Sequence, residues 1–218
     1  MTDRELLDRI QGTPWIDELL TLFDFEVARA EDGPVEPVTL PGGEPLETIA
    51  GDGSGGAFLL VGAGDVRPVL YVGSEGEAGL VATSLRDALA LIVGVSSLHD
   101  AATYPLEEDG GRTLHDYLAR TDDEIREDRP ELDHDRHRVR EALGLPPVDD
   151  ALLRSFQSAA ADFAYRPINQ EGDRLRPMLS WREEAEDALN PARPSYPTAP
   201  PPPVTPPNEP MPGQIGLF

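Results

Sequence analysis

The sequence predicts an α+β fold. Two short helical patterns come first, apolar strand patterns separated by glycine-rich turns follow, and amphipathic helical patterns occupy residues 84–166. Helices and strands that are grouped along the chain, rather than alternating, are typical of this class. The length of 218 residues is sufficient for one domain with a hydrophobic core and an appended segment.

Two short helices are predicted before the sheet. Thr2 and Glu5 have the spacing of a capping box, and Gly12 is a typical residue at a helix C-terminus. Thr13 is predicted to cap a second helix that has Pro14 at its first position. The apolar side of these helices comprises Leu6, Leu7, Ile10, Trp15, Ile16, Leu19, Leu20 and Phe23.

The sheet is predicted in the middle of the chain. Residues 45–50, 57–61 and 68–72 form short apolar or alternating runs with glycine-rich turns between them. Residues 80–82 are predicted to add a short fourth strand.

Four more helices are predicted after the sheet. Ser84 and Asp87 have the spacing of a capping box, and Gly94 ends the helix that they begin. The other three are predicted to begin near Thr113, near Pro130 and after Asp149 or Asp150.

Residues 191–218 differ in kind from residues 1–190, which are predicted to form the folded domain. Proline makes up about half of the segment from Pro191 to Pro212. A segment so poor in core residues cannot bury enough surface to offset the entropy of ordering it. It is predicted to be a disordered, extended tail.

The charge balance narrows the choice of partners. The chain carries 41 acidic and 18 basic residues, a formal net charge of −23. Direct binding of nucleic acid is not predicted, because phosphate contacts need a basic face. A basic protein would be attracted by this field. The alternative is that the acidity only confers solubility.

No secretory signal, transmembrane stretch or cysteine is present in the sequence. A cytoplasmic protein without membrane attachment is therefore expected. Without cysteine there is neither a disulfide framework nor a thiolate metal site, and no cofactor is predicted.

The stretch from Gly51 to Gly56 resembles the Gly-Asp-Ser-Gly-Gly sequence around a protease nucleophile, with one additional glycine. A hydrolase using Asp52, Ser54 and one histidine is kept as an alternative, but the four histidines lie in predicted loops or polar helices. The preferred prediction is a turn between two strands, in which Asp52 and Ser54 bond nearby backbone amides. Gly55 and Gly56 are predicted to supply positive φ or a close approach.

Two other motifs do not predict a site. Gly62 and Gly64 begin like a dinucleotide-binding turn, but a second strand follows them where a helix would be required. The best candidates for metal ligands are Asp133, His134, Asp135 and His137. Only the two histidines share a helical face, so no metal is predicted.

Three segments together resemble the core of the SUKH superfamily. They read IAGDGSGGAF, RPVLYV and GLVATSLRDALALIVG, and they lie within residues 45–95. The pattern is a glycine- and aspartate-bearing turn into a buried strand, a second strand ending near an aromatic residue, and a short Ser-capped helix. The matching residues are Gly51, Asp52, Gly55, Gly56, Tyr71, Ala82, Ser84 and Leu89.

This resemblance implies helices packed around a mixed, largely antiparallel sheet. It also implies a non-catalytic role, because many bacterial members are immunity proteins that bind and neutralise a cognate toxin. Together with the negative charge, it makes a basic toxin the expected partner.

The last five residues resemble the Q-x-x-L-F peptide with which bacterial replication and repair proteins bind the β sliding clamp. In that pattern Gln214 would hydrogen-bond in a polar subsite, and Leu217 and Phe218 would fill an apolar cleft. An adaptor that binds the clamp is therefore a second possible function. The alternatives are docking of the tail on its own domain, binding to a different partner, and no role for these residues.

Overall fold

The structure of this chain, a computed structural model, describes residues 1–179 and 181. A five-stranded sheet in the order β1-β2-β3-β4-β5 forms its centre. The strands are β1 (Leu46–Gly51), β2 (Ala57–Val61), β3 (Val69–Val72), β4 (Glu77–Ala82) and β5 (Arg176–Pro177). The first four pair antiparallel, and β5 pairs parallel with β4. The fold is α+β with a mixed, largely antiparallel sheet, as expected.

The helices surround this sheet. They are α1 (Asp3–Gln11), α2 (Pro14–Thr21), α3 (Leu85–Gly94), α4 (Leu98–Ala101), α5 (Arg112–Asp128), α6 (Leu132–Leu143) and α7 (Asp150–Ala160). Short 3-10 helices occupy Val27–Glu31, Asp109–Gly111 and Phe163–Tyr165. Of these helices, α4 and the three 3-10 helices were not predicted, since three to five residues are too few to show helical periodicity.

Local capping determines where several helices begin. Thr2 and Glu5 form the predicted capping box, and the Ser84 hydroxyl accepts from the Asp87 N–H at the start of α3. Thr13 was also predicted to cap a helix, but its side chain makes no cap hydrogen bond. Its ψ is 87°, whereas Thr2 and Ser84 have ψ of 163° and 151°. We attribute the missing bond to this difference in backbone direction.

Both faces of the sheet are buried. Side chains alternate along β2 and β3, so that Phe58, Leu60 and Tyr71 face the main core while Leu59 and Leu70 face a second one. The main core lies between one face of the sheet and the helices. The second is covered by parts of residues 38–46 and 159–175. Burial on both faces explains why these strands read as continuous apolar runs.

The edge of the sheet differs from the prediction. Strand β4 begins at Glu77 rather than at residue 80, because a tight turn from Gly73 to Gly76 brings the chain back along β3. Strand β5 was not predicted, since two residues, one of them Pro177, carry no strand pattern. Proline is tolerated there because an edge strand has a free side.

Within the described residues, no helix is long and apolar enough to cross a membrane. The predicted boundary between residues 190 and 191 lies outside the described part of the chain, as does the predicted tail.

Candidate functional site

The turn between β1 and β2 is organised around the carboxylate of Asp52. Its Oδ1 accepts hydrogen bonds from the backbone N–H of Ser54 at 2.8 Å, the Ser54 hydroxyl at 2.7 Å and the backbone N–H of Gly56 at 2.8 Å. Its Oδ2 accepts from the Tyr71 hydroxyl at 2.6 Å. The prediction that Asp52 bonds backbone amides is confirmed. For Ser54 it is wrong, because the hydroxyl donates to Asp52 instead.

The two predicted glycines serve this turn in different ways. Gly55 has φ of +93°, which side chains rarely adopt. Gly56 lies so close to the network that a Cβ atom would be 2.3 Å from the Tyr71 oxygen and 2.5 Å from Oδ2 of Asp52. The sequence Gly-Gly therefore allows both the turn and the approach of Tyr71 to the carboxylate.

The network keeps Asp52 ionised. Burial by itself would raise the pKa of Asp52, but hydrogen bonds from Tyr71, Ser54 and the N–H of Gly56 outweigh burial, so the pKa lies below its ordinary value of 3.8. Burial, followed by the hydrogen bond to Asp52 and then by the negative charge of Asp52, raises the pKa of the Tyr71 hydroxyl well above its usual range. Tyr71 is therefore a permanent donor at physiological pH.

A row of aromatic rings extends from this network. Phe25, Phe58, Tyr71 and His99 follow one another with centroid separations of 5.2, 5.1 and 5.5 Å. His99, on α4, is exposed, and its Nε2 lies 3.4 Å from Oε1 of Glu77. The hydrogen bond to Glu77 raises the pKa of His99 and lowers that of Glu77.

A cavity of about 340 Å³ lies beside the turn. Its apolar wall consists of Phe23, Phe58, Tyr71, Ile92 and Leu98. Its polar groups belong to Asp24, Asp52, Ser54, Ser96, Ser97 and His99. The turn predicted from the sequence is thus one wall of the main candidate site.

Asp24 is the cavity residue with the least common backbone. Its φ is +56°, a left-handed conformation that aspartate adopts more readily than most residues. Partial removal from water, followed by the charge of Asp52, raises the pKa of Asp24. The guanidinium of Arg129 lies 5.2 Å from the ring centre of Phe23 and donates to the Leu22 carbonyl at 2.7 Å.

Ser54 and His99 line the same cavity, but no hydrogen bond between them is present among the described residues. The Ser54 hydroxyl donates to Asp52, and His99 bonds Glu77. Within residues 1–179 no histidine nitrogen is hydrogen-bonded to the Ser54 oxygen. Activation of Ser54 would require an adjacent base.

The remaining predicted site residues lie elsewhere. Ser84 caps α3 and lines a different cavity, with Met1, Asp3 and Leu6. Gly51 is paired with Glu26 at the end of β1. The tail residues Gln214, Leu217 and Phe218 lie outside the described residues.

The residues of α6 that were considered as metal ligands include two whose side chains contact other residues. Asp133 accepts two hydrogen bonds from Arg126, at 3.0 and 3.1 Å, and His137 lies 3.4 Å from Glu141. Among residues 1–179 and 181, no group of three or more side chains is placed to hold a metal ion.

Several cavity residues were not singled out from the sequence. Asp24 lies between two phenylalanines that read as ordinary core, and Ser96, Ser97 and His99 belong to a connection without a motif. Only the fold brings these residues to the turn. The Phe-Asp-Phe order, with one charge between two apolar rings, is the one local signal that could have indicated Asp24.

Comparisons of this chain with models of known families, with curated proteins and with solved structures find no match.

Proposed function

We propose that this chain is a non-catalytic protein-interaction module, an immunity-type protein that binds and neutralises a basic toxin. The observation that carries the proposal is an acidic face on α5, which we define by Asp116, Glu124, Glu127 and Asp128. The resemblance of residues 45–95 to the SUKH pattern supports the same role.

Helix α5 contacts the core through Leu114 and Leu118, and many of its other side chains are exposed. It is 17 residues long, and Leu114 is its one buried residue. The four residues of the acidic face are exposed and fall within about one third of the helix circumference. Within residues 1–179 none of the four forms an ion pair. Their charges are therefore available to a partner.

Other charges on α5 fix it against α6. Arg136 donates two hydrogen bonds to Asp122, at 2.6 and 2.8 Å, and both side chains are largely buried. Arg126 bonds Asp123 and Asp133. Because these pairs hold the helix in place, binding through its acidic face loses little entropy of ordering. The arginine–aspartate pairs hold α5 in place, whereas the carboxylates of the acidic face are unpaired within the described residues. This difference supports the acidic face as a binding surface.

The charge of the whole chain reinforces this surface. At −23, the protein repels other acidic molecules and attracts basic ones over long distances. A basic toxin would arrive quickly and would relieve repulsion among the carboxylates.

The Asp52 network favours a structural role for the turn. All four hydrogen bonds to the carboxylate come from the protein itself, and the side chain is buried. A carboxylate held in this way stabilises a binding loop, and it is poorly placed to orient a catalytic base.

Co-expression tests this function. Each protein encoded beside this chain is tested for inhibition of growth, and every inhibitor found is expressed with and without this chain while growth is recorded. We expect full-length chain to restore growth. If every neighbouring inhibitor still prevents growth when both proteins are present in the cell, the proposal is contradicted.

Charge variants make the test specific. The triple change Glu124→Gln, Glu127→Gln, Asp128→Asn removes most of the acidic face. The control triple change Glu31→Gln, Glu36→Gln, Glu44→Gln removes three carboxylates from the segment before β1. The first variant is expected to lose protection and the control to keep it. Equal protection by both would show that the acidic face is not the binding surface.

A further inference from the structure

The cavity beside the β1–β2 turn combines an apolar wall with the carboxylates of Asp24 and Asp52, and His99, whose pKa is raised, lies in the same lining. At about 340 Å³ it lies at the small end of the range for ligand pockets, so it suits one side chain rather than a large cofactor. The rings of Phe23, Phe58 and Tyr71 contribute to its walls. Phe58 and Tyr71 are almost fully buried, so Phe23 is the ring whose exposed surface can attract a cation.

The two carboxylates of the cavity differ in their availability. Asp52 already accepts four hydrogen bonds. The carboxylate of Asp24 forms no ion pair within the described residues, although the backbone N–H of Gly53 and the charge of Arg129 both act to lower its pKa. Asp24 is exposed at the rim. It is therefore the group that can receive a donor from outside.

A second unused acceptor lies in the same cavity. The hydroxyl oxygen of Ser96 is buried and has no hydrogen-bond partner among the described residues. Its neighbour Ser97 caps α4 by accepting from the N–H of Asp100. An occupant with several N–H donors could bond Asp24 and, after a small adjustment, Ser96 together.

The shape of the site favours a guanidinium over an ammonium group. A guanidinium is flat, is weakly hydrated and carries five donors in one plane, so it can stack on a ring while bonding a carboxylate. The chain provides an example at the edge of the cavity, where Arg129 lies over Phe23. An ammonium group would lose more hydration on entering the apolar wall.

We propose that this cavity binds an arginine side chain presented by the partner protein, with Asp24 as its carboxylate acceptor. This inference rests on the proposed function for the identity of the partner. It adds a specific anchor to the long-range attraction of the acidic surface, since a buried arginine is a common hot spot of interfaces.

Binding of a small probe tests the site without the toxin. N-acetyl-arginine methylamide is titrated into the full chain, and amide shifts of Gly53, Ser54 and Ser97 are followed by NMR. We expect saturable shifts at millimolar concentrations. N-acetyl-citrulline methylamide, which has nearly the same shape without the charge, should bind at least about tenfold more weakly. The lysine analogue should lie between the two.

Two variants assign the contact. Asp24→Asn should weaken binding of the arginine probe about tenfold or more, and it keeps the fold because asparagine tolerates positive φ. Asp173→Asn, at an exposed position that is not part of the cavity lining, should leave binding unchanged. The amide spectrum itself reports whether each variant is folded. Ser96→Ala is expected to weaken binding of the arginine probe less than Asp24→Asn does.

Several outcomes would overturn the proposal. They are equal binding of arginine and citrulline probes, shifts confined to other residues, no shifts at all, or no effect of Asp24→Asn. Tighter binding of free L-arginine than of the blocked probe would indicate a metabolite site instead. If the chain protects against the toxin but does not bind the probe, the arginine site is refuted and the proposed function stands. If the chain binds the probe but does not protect, the proposed function is refuted and the arginine site stands.

Discussion

The hydroxyl of Tyr71 donates a 2.6 Å hydrogen bond to Oδ2 of Asp52, and both side chains are buried. This bond connects the β1–β2 turn to β3, and the turn forms one wall of the cavity that contains Asp24. The position of the cavity wall therefore depends on a donor that stays protonated and an acceptor that stays charged.

Removing the donor should destabilise the fold. Tyr71→Phe leaves a buried carboxylate with one fewer hydrogen bond, and we expect the free energy of unfolding to fall by about 1.5–3 kcal/mol. Urea denaturation measures the change. Tyr104→Phe is the matched control, because that ring is partly exposed and its hydroxyl makes no hydrogen bond among the described residues. Similar losses in both variants would show that the bond to Asp52 contributes nothing.

Because Asp52 is ionised in the folded state, the stability of the fold should depend on pH. Its pKa is lower in the folded chain than the ordinary 3.8, so the folded state favours the ionised form. The resulting stability is complete above pH 3.8 and is lost as the pH falls through the lower, folded pKa.

The difference in unfolding free energy between wild type and Asp52→Asn should therefore be largest near neutral pH and should shrink at acid pH. In a Tyr71→Phe background the pH-dependent part should be smaller, because one hydrogen bond to the ionised form is gone. A difference that stays constant from neutral to strongly acid pH would contradict the account.

The three glycines of the turn should respond in a definite order. Gly56→Ala places a Cβ 2.3 Å from the Tyr71 oxygen and should cost about 2–3 kcal/mol, as a strained buried contact does. Gly55→Ala should cost about 1–2 kcal/mol for its positive φ. Gly53→Ala meets only Asp24, at 3.5 Å, and should change stability by less than about 0.5 kcal/mol. Thermal denaturation ranks them, and equal effects would refute this view of the turn.

The sequence was most informative where a single local pattern determines the structure. The capping residues of α1 and α3 and the boundaries of β2 follow from side chains that act on their neighbours in the chain. The β1–β2 turn could be predicted because its contacts are also local: Asp52 bonds residues two and four positions further along the chain.

The cavity could not be predicted because its residues are distant in sequence. Asp24 approaches the turn only because α2 ends nearby, and Ser96 and His99 arrive from the connection after α3. Pairing of His99 with Glu77 depends on where β4 begins, and that boundary was itself predicted three residues too late. Long-range contacts of this kind leave no periodic signal.

The C-terminal peptide gives a prediction that is independent of the described residues. A peptide of residues 208–218 should bind the β sliding clamp at best with micromolar affinity, because burial of Leu217 and Phe218 contributes about 1.5–3 kcal/mol each before ordering losses. Fluorescence titration measures it. Gln214→Ala should weaken binding, and the double change Leu217→Ala, Phe218→Ala should abolish it. Equal binding of wild-type and double-variant peptides, or none, would eliminate clamp binding as a function.

The most direct measurement for the central claim is the association rate of the purified chain with its neutralised toxin as salt is raised. From about 0.01 M to about 0.1 M ionic strength the Debye length shortens from about 30 Å to about 10 Å. We predict that the rate falls about tenfold or more over this range. The Glu124→Gln, Glu127→Gln, Asp128→Asn variant should start lower and fall less, while the Glu31→Gln, Glu36→Gln, Glu44→Gln control should behave as wild type. A rate that is independent of salt, or the same loss in both variants, would contradict recognition of a basic partner by the acidic face of α5.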